Sequence, residues 1–187
     1  MKKRSLLLLP GIALILLSLC FGLFFGIRYR LGAERCRRVA EKLAALLPER
    51  TAGAPEGDAM PVLQLEGKDF AALLEIPAVG AVLPVADQWE QKDLYSGPAR
   101  FCGSVYSGLV IGGADLPGQF GFCDEIGHGA RVVLTDMTGG EYHYEVTRIH
   151  RAKHAEAAWL MAEEYDLTLF CRSTLSMEYI AVRCRRI

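Results

Sequence analysis

No Cys-x-x-Cys pair occurs in the 187 residues, and none of the four histidines stands at a ligand spacing from a cysteine. The six cysteines, at 20, 36, 102, 123, 171 and 184, therefore make neither a zinc site nor the dense framework of a disulfide-stapled domain. Buried free thiols are the expectation for most of them, with a Cys102 to Cys123 bridge as the one pairing to consider. Excess positive charge is also missing: the net charge is −1, and residues 62–187 alone carry −6. An acidic domain without an arginine-rich face repels phosphate, and nothing here reads as a helix-turn-helix, a zinc finger or an RNA-stacking motif. Nucleic acid is excluded as a partner on those grounds.

Apolar residues are 51% of the chain and unevenly placed. Residues 6–27 form an uncharged run of 22, which as a helix spans about 33 Å and so crosses a hydrocarbon core of about 30 Å. The run reads as a transmembrane helix, with Pro10 in its first turns, where proline is tolerated. A cleaved signal peptide fits less well, because the exit from Gly22 to Arg28 is bulky where a small-x-small site is required. A lipoprotein signal fits less still, since Leu19 precedes Cys20. Lys2, Lys3 and Arg4 precede the run, and Arg28, Arg30, Arg35, Arg37 and Arg38 follow it. Counted alone, these charges favour a cytoplasmic C-terminus. They also give residues 1–61 a net +5 beside the membrane, where anionic head groups attract it.

Residues 33–47 carry apolar side chains at 36, 39, 40, 43, 44, 46 and 47 before Pro48, a helical spacing that predicts a stalk helix, with a partner-binding helix as the sharper alternative. Residues 51–61 are rich in Gly, Pro and Ala and predict a linker, which puts a domain boundary near 62. The expected organisation is a basic tail at 1–5, the membrane helix at 6–27, stalk and linker at 28–61, and a domain at 62–187. Within that domain short strands are predicted at 73–76, 79–85, 109–112, 131–135, 141–149, 167–171 and 179–185. Residues 137–140 form a Gly-containing hairpin turn. One helical stretch is predicted at 156–165. So many short strands with one helix agree with a mostly β fold closing into a small barrel.

Two segments carry a family resemblance. Residues 107–121, Ser-Gly-Leu-Val-Ile-Gly-Gly-Ala-Asp-Leu-Pro-Gly-Gln-Phe-Gly, resemble the sortase pattern Val-Ile-Ala-Gly-His-Asn followed by Phe-Gly. Residues 166–173, Asp-Leu-Thr-Leu-Phe-Cys-Arg-Ser, resemble Leu-Thr-Leu-x-Thr-Cys of the same family. The likeness extends in order through 73–77, 83–85, 97–106, 129–142 and 181–184, about 115 residues. It implies an eight-stranded sortase-like barrel, outside the membrane behind an N-terminal signal anchor. It also implies the chemistry of a membrane-anchored cysteine transpeptidase acting on sorting-signal peptides, with no cofactor or metal.

Such chemistry needs a thiolate to attack a peptide carbonyl, an acid for the leaving amine and a donor for the oxyanion, which the family supplies as Cys, His and Arg. Without gaps, the histidine position falls on Ala114, the cysteine position on Arg172 and the arginine position on Tyr179. Asp115 is read as a turn residue. Cys171 is the candidate nucleophile one place early. Strand alternation turns it toward the barrel interior if Arg172 faces the groove, and a one-residue bulge is needed to swing it outward. Arg172 is either a ligand for an oxyanion or carboxylate or a solvated side chain lining the old groove. His128 and His143 are the candidates to replace the imidazole, with loop and surface roles as the plainer reading; His150 and His154 read as exposed. Two functions follow: a degenerate sortase that binds a peptide or surface protein in its groove while a complete sortase does the joining, or an atypical enzyme working through Cys171.

Overall fold

The computed structural model describes residues 2–52, 60–90, 96–154, 156–162 and 164–187. The chain begins with helix α1 (Lys2–Leu46), followed by strands β1 (Thr51–Ala52), β2 (Leu63–Leu65) and β3 (Lys68–Ile76). After a 3-10 turn at Pro77–Val79 come β4 (Ala81–Ala86), β5 (Ala99–Cys102), β6 (Leu109–Gly112), β7 (Arg131–Asp136) and β8 (Gly140–Ala152). A single helical turn, α2 (Ala157–Leu160), precedes β9 (Leu167–Arg172) and β10 (Tyr179–Arg186).

Eight of these strands form a ring: β8 pairs with β10, then β9, β6, β5, β4, β3 and β7, and β7 returns to β8. The short β1 and β2 attach outside it, on β8 and β3. Closure satisfies the backbone groups that an open sheet would leave at its edges. Alternation sends Ile111, Leu169, Cys171, Ile180, Val182 and Tyr144 into one interior cluster. The opposite, outer face of β6, β9 and β10 carries a second cluster, described below.

Two predicted segments and the exposure of one histidine differ in detail. The strand expected at 79–85 starts at Ala81, because Pro77 opens a 3-10 turn that Gly80 closes at φ +62°, a conformation other residues adopt rarely. The helix expected at 156–165 is one turn long. Buried Arg183 donates to the carbonyls of Trp159 and Leu160, which a longer helix would spend on its next turn. His150, read as exposed, is half-buried on β8 opposite Ala181.

The helix expected at 33–47 continues α1 from the apolar run without a break. Its Ala33, Cys36, Ala40 and Leu43 recur at intervals of three and four residues, one face of a helix. Cys36, Ala40 and Leu43 on that face are buried. Leu43 packs with Phe70 and Met137 of the barrel, so this length of helix lies along the barrel wall. Thr51 and Ala52, at the start of the expected linker, pair with β8, and residues 53–59 of that linker lie outside the described residues.

Candidate functional site

Arg172 and Tyr179 lie at one end of β9 and β10, and Ala114 follows the same end of β6. β6 runs parallel to β9 with Gly112 beside Phe170, and the Gly113 amide donates to the Phe170 carbonyl at 3.0 Å. Ala114 follows two residues after Gly112, as Arg172 follows two residues after Phe170. Across β9 and β10, Arg172 faces Tyr179 directly. Ala114 thus follows the end of β6, the neighbour of β9, whose last residue Arg172 faces Tyr179 at the start of β10.

Arg172 is exposed, with its guanidinium 5.7 Å from the centre of the Tyr179 ring and its Nε donating to the Met177 carbonyl at 3.3 Å. Stacked in this way, the guanidinium stands over the phenol, and the positive charge of the site sits on β9 rather than β10. Ala114 is buried. Its amide donates to Gln119 Oε1 at 3.2 Å, and its carbonyl accepts from Leu116 and Phe120, which folds residues 114–121 into a compact loop. Asp115 accepts from both the amide and the hydroxyl of Thr174, a tie between this loop and the one joining β9 to β10.

Cys171 points the other way. β9 pairs with β10 in unbroken register from Leu167 to Arg172, with no bulge, and Cys171 is 1% exposed in the interior. Its Sγ lies 3.8 Å from the Phe120 carbonyl oxygen, which also accepts the Cys123 amide at 3.0 Å. The two thiols meet there: the hydrogen bond between them, followed by burial, pushes the Cys123 thiol well above its ordinary value. Cys102 lies instead with the outer aromatic cluster, while Cys123 belongs to the interior one, so the structure does not bring that candidate pair together. All six cysteines are free thiols.

The outer face beside Arg172 is covered by the chain's own side chains. Val110, Phe170, Ala181 and Leu160 are buried there, with Trp89, Phe101 and Trp159 packed over them. The Trp89 and Phe170 rings are 5.5 Å apart, and Phe101 meets Phe170 edge-on at 5.5 Å. A Cβ on Gly112 would fall 2.3 Å from Trp89, and one on Gly113 would fall 2.8 Å from the Phe120 ring. The strand end passes between aromatic rings on both sides, and only glycine leaves room for them. Trp89 has no counterpart among the residues chosen from sequence, although this glycine pair within a strand is a signal of close approach.

The remaining histidines lie elsewhere. His128 contacts the Thr147 carbonyl through Nδ1 at 2.9 Å, and His143 projects from β8 with Nε2 3.7 Å from Glu141. His150 sits on the outer face, its imidazole held below the ordinary value by burial and then by the charges of Arg183 and Arg148. Among the described residues no three or more His, Cys, Asp or Glu side chains gather to hold a metal ion.

Comparison with solved structures shows what this closed eight-stranded barrel is similar to. Sortase C1 from Streptococcus agalactiae matches with a TM-score of 0.57 at 19% identity, over 67% of this chain and 71% of that one. Sortase A from Corynebacterium diphtheriae matches with a TM-score of 0.56 at 17% identity, over 85% of this chain and 84% of that one. Clostridium perfringens sortase C, solved with the C-terminal cell wall sorting motif, matches with a TM-score of 0.56 at 20% identity, over 64% and 71%. No protein-family model matches the chain, nor does any curated protein sequence. The chain has a sortase-like fold, preceded by one helix, among the described residues, long and apolar enough to cross a membrane.

Proposed function

We propose that this protein is a sortase homologue of the cell surface that binds a peptide without joining it. Residues 6–27 serve as its single-pass anchor, and the barrel stands on the outer side of the membrane. One observation supports the reading above the others: Arg172, the residue that the resemblance aligns with the family's nucleophile, is an exposed guanidinium stacked on Tyr179. Arginine stays protonated and offers donors only, so it cannot attack a carbonyl. Ala114 has no proton to move, and Tyr179 offers a phenol where the resemblance places a cation. What remains is one exposed guanidinium, Arg172, suited to gripping an acidic side chain or a peptide C-terminus by paired hydrogen bonds. A catalytically complete sortase is then the partner that carries out the joining.

The rival is an atypical transpeptidase or peptidase working through Cys171. It requires a side chain that is 1% exposed to leave the interior and break the register between β9 and β10. Mass spectrometry of the full chain, incubated in detergent with an activated sorting-motif peptide, separates the two. The expected result is no acyl adduct on the wild type and about a tenfold loss of acidic-peptide binding in Arg172→Ala, the size of one charged contact. The triple change Ala114→His, Arg172→Cys and Tyr179→Arg is expected to give detectable acyl transfer. An adduct on the wild type that disappears in Cys171→Ala overturns the binding reading.

A further inference from the structure

Ala33 sets the height of the candidate site above the membrane. It lies six residues beyond Ile27, the end of the apolar run, or about 9 Å of helix rise. Gly118 packs on it so closely that a Cβ there would stand 2.6 Å from Ala33 Cβ, and residues 114–121 are held at that level. The other end of the barrel is attached at the far end of α1. A Cβ on Gly139, in the β7–β8 hairpin, would fall 2.9 Å from the Glu49 carbonyl, and the Thr51 amide donates to the Gly139 carbonyl at 2.9 Å. From Ala33 to Leu46 the helix rises about 20 Å. Two attachments that far apart fix the polarity of the barrel: Ala114, Arg172 and Tyr179 lie at the end toward the apolar run, and the hairpin at 137–139 lies at the end away from it.

The surface at the near end has the composition that meets an anionic bilayer. Leu175 is 94% exposed and Met177 56% exposed in the loop between β9 and β10, which Asp115 ties to the loop carrying Pro117, also exposed. Around Ala33 on α1, exposed Arg30, Arg35, Arg37 and Arg38 outnumber exposed Glu34 and Glu41, of which Glu41 pairs with Arg37 at 3.0 Å. Apolar tips next to a basic collar gain both from burial among acyl chains and from attraction to anionic head groups.

We propose that the end of the barrel carrying Ala114, Arg172 and Tyr179 is seated on the anionic lipid head groups of the membrane that α1 crosses, with Leu175 inserted among them. The inference rests on the reading of residues 6–27 as a membrane span. It means that a peptide reaches Arg172 along the bilayer surface rather than from bulk water.

The test uses the full chain in phosphatidylglycerol-containing nanodiscs, with Cys20→Ser and Cys102→Ser as background. An environment-sensitive fluorophore is placed at Leu175→Cys or, as the far-end control, at Glu49→Cys; both parent side chains are exposed, so neither change disturbs the core. Head-group spin-labelled lipid is expected to quench the Leu175 label several-fold more than the Glu49 label, and the difference is expected to shrink with phosphatidylcholine alone. A chain retained in the disc with both labels equally quenched, or with Glu49 the more quenched, overturns the seating and leaves the anchor reading intact. A chain washed from the disc by alkaline carbonate overturns both. A Leu175 label that is shielded yet unquenched identifies a protein surface, such as a second copy of the chain, as the occupant instead.

Discussion

Asp115 holds Thr174 by two hydrogen bonds to one carboxylate oxygen, from the amide at 2.7 Å and from the hydroxyl at 2.9 Å. The pair ties the loop after β6 to the loop after β9, so the backbone at Ala114 and the backbone beyond Arg172 move together. Asp115→Ala leaves the barrel intact and loosens that tie. The expected loss is about 1 kcal/mol, or ~3 °C in Tm for a domain of this size, with a larger rise in amide exchange at Thr174 than anywhere in β9. Unchanged exchange at Thr174 would show that the tie does not restrain the loop.

Arg183 is the largest buried polar side chain of the outer face. It donates to the Leu160 carbonyl and to Thr168 Oγ1 at 2.8 Å each and to the Trp159 carbonyl, with its guanidinium 5.0 Å from the centre of the Trp159 ring. Arg183→Leu fills much of the volume but strands three acceptors away from water. A loss of about 3 kcal/mol is expected by urea denaturation, together with release of Trp159 to solvent, read as a red shift in its fluorescence. A stability loss with unchanged emission would mean that α2 is held by packing alone.

The thiols should react in the order set by burial. Burial pushes Cys36 up to about 11 and Cys184 up to about 12, while Cys123 is raised by its hydrogen bond to Cys171 and by burial. Cys102 is raised by burial as well, with Arg100 acting against the rise, and it is the only one of the barrel's cysteines with partial exposure. Timed alkylation near neutral pH, read by peptide mass spectrometry, is expected to modify Cys102 first in the barrel and Cys123 and Cys171 only on unfolding. Rapid native modification of Cys171 would favour the enzymatic rival.

His150 is expected to make the fold acid-sensitive. Its folded value is depressed, so the unfolded chain takes up that proton first as pH falls below about 6.5. The stability it supports is complete above that pH and is lost as pH drops through the folded value, after which the slope flattens. Thermal melts from about pH 7.5 to about pH 5 should show a smaller decline in His150→Gln than in the wild type. Equal declines would place the acid sensitivity in other groups.

Most strands were legible because their signals are local: alternation along β6, β9 and β10 and the glycines of the hairpin turn are properties of a few consecutive residues. The same alternation, applied to adjacent residues, put Cys171 inside if Arg172 faced the groove and left a one-residue bulge as the alternative. The two-residue β1 and the short β2 and β5 escaped notice because so few residues carry no period. What the sequence by itself determined is therefore seven of the eight ring strands and the apolar run, and its resemblance singled out Ala114, Arg172 and Tyr179. Only the tertiary structure decided that Cys123 is the neighbour of Cys171, that Trp89 covers Gly112 and Phe170, that His150 is half-buried, and which surface receives the 33, 36, 40 and 43 face of α1. Each of these contacts joins residues far apart in the chain, brought together only when the barrel closes, and closure depends on all eight strands at once rather than on any stretch of sequence.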